Sequence, residues 1–217
     1  MNKRIRNESQ AGFSFIEILA LLGILSTLLA VVLPISRSVA QIFSVSSDAR
    51  NIGASLSLAR MLAASQSTHG RLYADLSANA FHVEVWNKTA NCWQTDGDTP
   101  NTCTQATSPV TSLAQGVTFG FGPVTQGPTP PTNSIAQAAS CNSGAAGTNS
   151  GAPIANTACI EFNSRGFAVD QTGALVISQA IYVQGDARTR IYAATVGEAG
   201  QPRTYSYSGS GTTWNPY

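Results

Sequence analysis

The chain has 217 residues, enough for one domain and an extension. Only 11% of them are charged and the net charge is +1, which excludes a general electrostatic pull towards nucleic acid or acidic membrane. Ser, Thr, Asn, Gln, Gly and Ala fill the gap, a composition that suits an exported, loop-rich β protein better than a cytosolic enzyme.

The charge bias is local. Lys3, Arg4 and Arg6 crowd the N-terminus against Glu8 alone. Residues 13–33 then read FSFIEILALLGILSTLLAVVL, a run of about 20 mainly apolar residues, long enough for a helix to cross a bilayer core of about 30 Å. Basic residues before the run place the N-terminus in the cytoplasm and export the remainder of the chain. A secretory signal peptide also begins this way, but its apolar core is shorter and a small-x-small cleavage site comes after it. Here the small residues Ala11 and Gly12 precede the run. Cleavage after Gly12 would remove the leader and keep the apolar helix.

Glu17 is the one charge in that helix. An acid at a membrane centre costs about 2.5–3.5 kcal/mol on insertion scales, and less near the helix end, so it needs a partner. If Phe13 becomes the new N-terminus, its free amine lies one turn away. The same amine on a neighbouring copy would neutralise Glu17 in apolar surroundings.

Gly12-Phe13-Ser14-Phe15-Ile16-Glu17, with the apolar run and Pro34 after it, resembles the class III signal of type IV pilins and type II secretion pseudopilins. The commonest pattern has Thr-Leu where this chain has Ser14-Phe15. The resemblance implies that a prepilin peptidase cuts after Gly12 and methylates Phe13. It also implies that Glu17 guides docking into a filament. Pro34 matches the usual proline of these helices and is expected to kink the helix or loosen its hydrogen bonds.

Beyond Pro34 the apolar residues Ile42, Val45, Ala49, Ile52, Leu56, Ala59 and Leu62 recur at helical spacing. Arg37, Gln41, Asp48, Arg50 and Asn51 occupy much of the other surface. The pattern predicts an amphipathic continuation to about residue 66, with Gly53 as a weak point and His69-Gly70 ending it. Strands are predicted over 71–76 and 81–86, as a hairpin, and over 117–121, 160–163, 175–178, 180–184, 191–196 and 204–208. Residues 123–151, rich in Pro, Gly, Ser, Asn and Ala, read as a long surface loop.

Leu56-Ser57-Leu58-Ala59-Arg60-Met61-Leu62-Ala63, then Arg71-Leu72-Tyr73, resembles the GspH/FimT type of minor pseudopilin and minor pilin. These carry a Leu-Ala-Arg-x-x-Ala stretch at the helix end. Phe162-Asn163-Ser164-Arg165-Gly166 resembles the same group's Phe-x-x-x-Gly turn, and 173–177 the strand after it. Some members have Gly-Arg-x-Arg near the C-terminus, where this chain has Gly200-Gln201-Pro202-Arg203.

The four cysteines, Cys92, Cys103, Cys141 and Cys159, all lie beyond the apolar segment. Four cysteines allow three pairings. Proximity favours Cys92–Cys103 and Cys141–Cys159, and the spacings are wider than zinc sites use. Disulfides imply an oxidising compartment such as the periplasm.

No catalytic pattern emerges. His69 and His82 are the two histidines, read as a loop residue and a strand-face residue, and there is no G-x-S-x-G elbow. Asp96-Gly97-Asp98 offers oxygen ligands, but a solvated turn is the better reading than calcium. Trp86 and Trp93 read as packing aromatics. Arg188, Arg190 and Arg203 would form a DNA-binding patch if their strands are neighbours, though three arginines near Asp186 and Glu198 read better as a solvated face.

The expected architecture is therefore α+β, with a long helix packed on a mainly antiparallel head, a small β-sandwich of the pilin kind. The expected organisation is a cleaved leader (1–12), a transmembrane segment (13–35), an amphipathic continuation (36–69) and a periplasmic head (70–217). The expected function is that of a minor pseudopilin of type II secretion, near the pseudopilus tip. The alternatives are a minor type IV pilin acting in pilus assembly, adhesion or DNA uptake, and a membrane-anchored periplasmic enzyme. No enzyme activity, metal or cofactor is expected. The partners implied by the resemblance are other pilins or pseudopilins, the prepilin peptidase and an inner-membrane assembly platform. The chain would sit once across the inner membrane before entering the filament.

Overall fold

A computed structural model describes residues 14–95, 110–129, 135–145, 147–148, 150–176, 178–185, 190–197, 199–208 and 213–217; the side chains at 31, 33–39 and 208 are outside the description. The leader 1–12, Phe13, Asp96, Asp98, Cys103, Arg188, Asp186 and Glu198 therefore lie outside the described residues. The chain divides into two units, Met1–Ala40 and Gln41–Tyr217.

Helix α1 spans Phe15–Ser65 and is unbroken at position 34. In the first unit its apolar side chains are exposed, from Phe15 (77%) and Ile16 (72%) to Leu28 (59%) and Val32 (56%). Among the described residues no helix is long and apolar enough to cross a membrane.

In the second unit the helix buries the predicted stripe: Val45, Ala49, Ile52, Leu56 and Ala59, with Ala63 replacing Leu62 at the last turn. Asp48 departs from its predicted polar surface. It is buried, and its Oδ2 accepts the Ala114 N–H at 2.8 Å. Burial raises its carboxyl pKa, against the opposing pull of that hydrogen bond. Gly53 lies where the helix passes close to Thr204; a Cβ there would sit 3.1 Å from Thr204 Oγ1. The helix ends earlier than His69-Gly70. Ser67 takes φ 51°, while Thr68 N–H bonds Ala63 O and Ser67 N–H bonds Ala64 O, the Schellman pattern with serine at the left-handed position.

Among the described residues eleven strands come after the helix: β1 (Gly70–Asp75), β2 (Ala80–Asn87), β3 (Cys92–Thr95), β4 (Thr111–Ser112), β5 (Val117–Phe119), β6 (Thr157–Phe162), β7 (Ala168–Val169), β8 (Gln179–Gly185), β9 (Arg190–Val196), β10 (Pro202–Ser208) and β11 (Trp214–Pro216). They form two antiparallel sheets. The first runs β3-β2-β1-β6-β7, with β4 also paired to β2; the second runs β11-β10-β9-β8-β5. The fold is α+β, and the 71–76/81–86 hairpin is present as β1 and β2. The strand expected over 175–178 is not formed among the described residues. Leu175 makes only an isolated bridge to Val169 across a tight turn, with Asp170 N–H bonding Ala174 O and Val176 N–H bonding Ala168 O.

Strand alternation divides each sheet into two faces. Leu72, Ala74, Phe81, Val83, Ala158, Ile160 and Phe162 of the first sheet share one core with the helix stripe and with Ile181, Val183, Tyr192, Ala194 and Val196 of the second. The second sheet's other face carries its own cluster of Ala180, Tyr182, Ile191, Ala193, Tyr205 and Val124. The 123–151 segment is not simply a surface loop. Gln137 bonds the Tyr182 backbone through both its oxygen and its nitrogen, and Ala138 N–H bonds Ala180 O. Cys159 N–H bonds Ala139 O.

Candidate functional site

Two regions carry the features that packing alone does not require. The first is the start of α1. Ser14 O accepts the N–H groups of Glu17 (3.0 Å) and Ile18 (3.2 Å), which opens the helix one turn before the acid. Glu17 stands in the first turn, where a negative charge complements the helix dipole. Ser26 and Thr27, in the middle of the apolar stretch, bond back to Gly23 O and Ile24 O. Their polar atoms are thus satisfied inside the helix, as an apolar medium requires.

The second is the outer face of the first sheet. Register places Arg71 on β1 opposite Glu84 on β2 and Glu161 on β6. Arg71 Nε donates to Glu84 Oε2 at 2.5 Å, with both side chains essentially buried. Glu84 Oε1 lies 3.1 Å from His82 Nε2. Burial opposes ionisation of Glu84 most strongly, but the His82 hydrogen bond and Arg71 together outweigh it and hold the carboxyl below its ordinary value. A bound, ionised carboxylate accepts and does not donate, so His82 carries its proton on Nε2. The Arg71 guanidinium also stacks 3.9 Å from the Trp93 ring and donates to Asn142 O at 2.8 Å. His69 Nδ1 lies 2.7 Å from Glu161 Oε1.

Above this face lies the chain around Cys141, pinned by the Cys141–Cys159 disulfide (Cα–Cα 4.9 Å). Trp93 Nε1 donates to Gly144 O at 3.2 Å. Cys92 is disulfide-bonded as well; Cys103, its expected partner, lies outside the described residues. Trp86 and Trp93 pack edge to face at 5.4 Å, as packing aromatics.

The two motif segments at Arg60 and Gly166 meet. Arg60 Nε donates to Gly166 O at 3.0 Å, and Nη2 to Ala199 O at 3.4 Å. Gly166 has φ 77°, and a Cβ on it would touch Arg60 Nε (3.1 Å) and Cγ (3.2 Å). Of the three arginines of the basic patch, the two described ones are not neighbours. Arg190 pairs with Ser208, whereas Arg203 pairs with Thr195, five positions further along β9. Arg190 shares the strand face of Tyr192 and Arg203 that of Tyr205, which belong to the two different cores. Arg188 lies outside the described residues.

Sequence pattern alone does not single out the charged layer, although its signal is present: in a hairpin turning at 76–79, Arg71 falls opposite Glu84 and Tyr73 opposite His82. Among the described residues no group of three or more His, Cys, Asp and Glu side chains is placed to hold a metal.

No family model matches the sequence, and no curated protein matches it. Among solved structures the chain is similar to the minor pseudopilin EpsH from the Type 2 Secretion System of Vibrio cholerae. The two share 10% identity at a TM-score of 0.37, over 80% of this chain and 96% of that one, a likeness too distant to assign a family.

Proposed function

We propose that the chain is a minor pseudopilin, a structural subunit that enters a secretion pseudopilus after losing residues 1–12. The observation that carries this reading is the bare start of α1. Eleven large apolar side chains between Phe15 and Val32 are exposed there, with Glu17 as the one acid among them. At about 1.5 kcal/mol each, burying them is worth roughly 15 kcal/mol. That force drives the segment into lipid first and among neighbouring helices afterwards. A lone acid at its first turn is costly in lipid and useful where an amine from another copy can meet it.

In this reading residues 13–35 anchor the chain once across the inner membrane and the head lies in the periplasm, where its disulfide persists. The prepilin peptidase frees Phe13 and methylates it, and the head supplies a shape for contacts near the filament tip. Intact mass of the membrane-extracted protein tests the first step, and the expected species lacks 1–12 and carries one added methyl group. Co-purification with the major pseudopilin, and loss of secretion without loss of surface pili on deletion, tests the second. An unprocessed N-terminus in cells with active peptidase refutes the proposal, as does a pilus defect with intact secretion.

A further inference from the structure

His82 has a second nitrogen that nothing in the fold uses. Its Nε2 is committed to Glu84, and Nδ1 has no partner among the described residues. The residue is 7% exposed, yet it lines a cavity of about 180 Å³ with Tyr73, Asp75, Ala78, Ala80, Glu84 and Val110. The Tyr73 ring stacks on the imidazole at 4.8 Å and 26°, which fixes its plane.

Asp75 completes the donor set. It lies two residues along β1 from the position opposite His82, on the same face, so the two are diagonal neighbours. Its Oδ1 is occupied by Ser77 N–H, Ser77 Oγ and Ala78 N–H, while Oδ2 has no partner among the described residues. Arg71 neutralises Glu84, so among the described residues the wall retains one negative charge without an ion-pair partner, at Asp75. The groups facing His82 are thus Glu84 on its own strand and Arg71, Tyr73 and Asp75 on β1.

We propose that this cavity is a site for a divalent d-block ion of the zinc or copper class, held by His82 Nδ1 and the Asp75 carboxylate. Calcium and magnesium take oxygen ligands, whereas an imidazole nitrogen beside one carboxylate suits zinc, copper or nickel. The Glu84 bond to Nε2–H is the outer-shell contact that a metal-binding histidine ordinarily makes: it fixes the tautomer and raises the basicity of the other nitrogen. Arg71 in turn holds Glu84. Two protein donors leave the remaining positions to water, so the ion is exchangeable and its affinity modest. The site is independent of filament entry, which uses the other end of the chain.

The test uses the full chain in detergent, stripped with a chelator and titrated with Zn²⁺ by calorimetry and with Cu²⁺ by electron paramagnetic resonance. The expected result is one ion per chain with a single coordinated nitrogen. Binding should fall at least about tenfold in His82→Gln and in Asp75→Asn, and remain unchanged in His69→Gln. Asp75→Asn keeps the turn acceptor, so it reads the site even if His82→Gln misfolds by circular dichroism. Absence of saturable binding overturns the proposal, as does binding that survives Asp75→Asn or disappears in His69→Gln.

Discussion

Replacing Gly166 by alanine tests whether the Arg60 contact is a true joint between the helix and the strands. Two effects add. Gly166 has φ 77°, where an alanine costs about 1–2 kcal/mol. The new Cβ would also lie 3.1–3.2 Å from Arg60 Nε and Cγ, so the guanidinium must yield. Moving it weakens the 3.0 Å bond to Gly166 O, worth about 1 kcal/mol or somewhat more for a charged donor. Gly166→Ala should therefore destabilise the head by roughly 2–4 kcal/mol. Arg60→Ala alone should cost about 1–2 kcal/mol, for the loss of one part-buried bond to Gly166 O and one exposed bond to Ala199 O. In the double variant the clash has gone and only the backbone strain and the lost bond remain. The double variant should therefore fall short of the sum of the singles by about 1 kcal/mol or more. Urea unfolding read by tryptophan fluorescence, at matched detergent, measures all four chains. Strict additivity, or a neutral Gly166→Ala, would refute the joint.

The buried charges make a pH prediction. The folded Glu84 carboxyl lies below its ordinary value, so its contribution is full above about pH 5 and declines as the pH falls through the lower folded value. Asp75 and Asp170, lowered chiefly by hydrogen bonds from Ser77 and Thr172, act with the same sign. Glu84→Gln should cost about 3–5 kcal/mol at pH 7 by stranding Arg71, and should flatten part of the acid slope; an unchanged slope in urea midpoints between pH 3 and 7 would count against the pair. Reducing Cys141–Cys159, or replacing both by serine, should cost about 3 kcal/mol for a separation of 18 residues, read as a lower melting temperature; an unchanged melt would mean the loop is held without it. Glu17→Ala should leave membrane level and leader removal intact while abolishing co-purification with partner subunits; normal incorporation would show that the acid has no assembly role.

How much of the fold is legible depends on which interaction sets each residue's place. The stripe from Val45 to Ala59 is readable because helical spacing and burial express one constraint. The β1–β2 hairpin is readable because its turn residues and alternation agree. Strands β3, β4, β7 and β11 have two to four residues each and exist through their partners, so no local pattern marks them. Polarity alone places Asp48 outward, yet a single backbone donor at Ala114 suffices to hold it inside.

The charged layer shows the deeper limit. Alternating strands with Arg71, His82, Glu84 and Glu161 on one face look like strands with one face in water. That face is buried because the segment around Cys141 is fastened over it by the disulfide, by Arg71 and by Trp93. The same cover that removes water makes each charge need a partner, and Arg71 serves both needs: it neutralises Glu84 and holds the cover through Asn142 O. Composition marks 123–151 as a loop because small and polar residues cannot build a core of their own. Composition does not show that such residues, tied at a few points, can close over charges that a regular element would leave exposed. A structural cover and a loose loop differ in one observable. If the cover is structural, Arg71→Met should destabilise the head by several kcal/mol and speed hydrogen exchange at 139–145 together with β1 and β2. If it is a loose surface loop, exchange at 139–145 is fast already and the substitution leaves it unchanged.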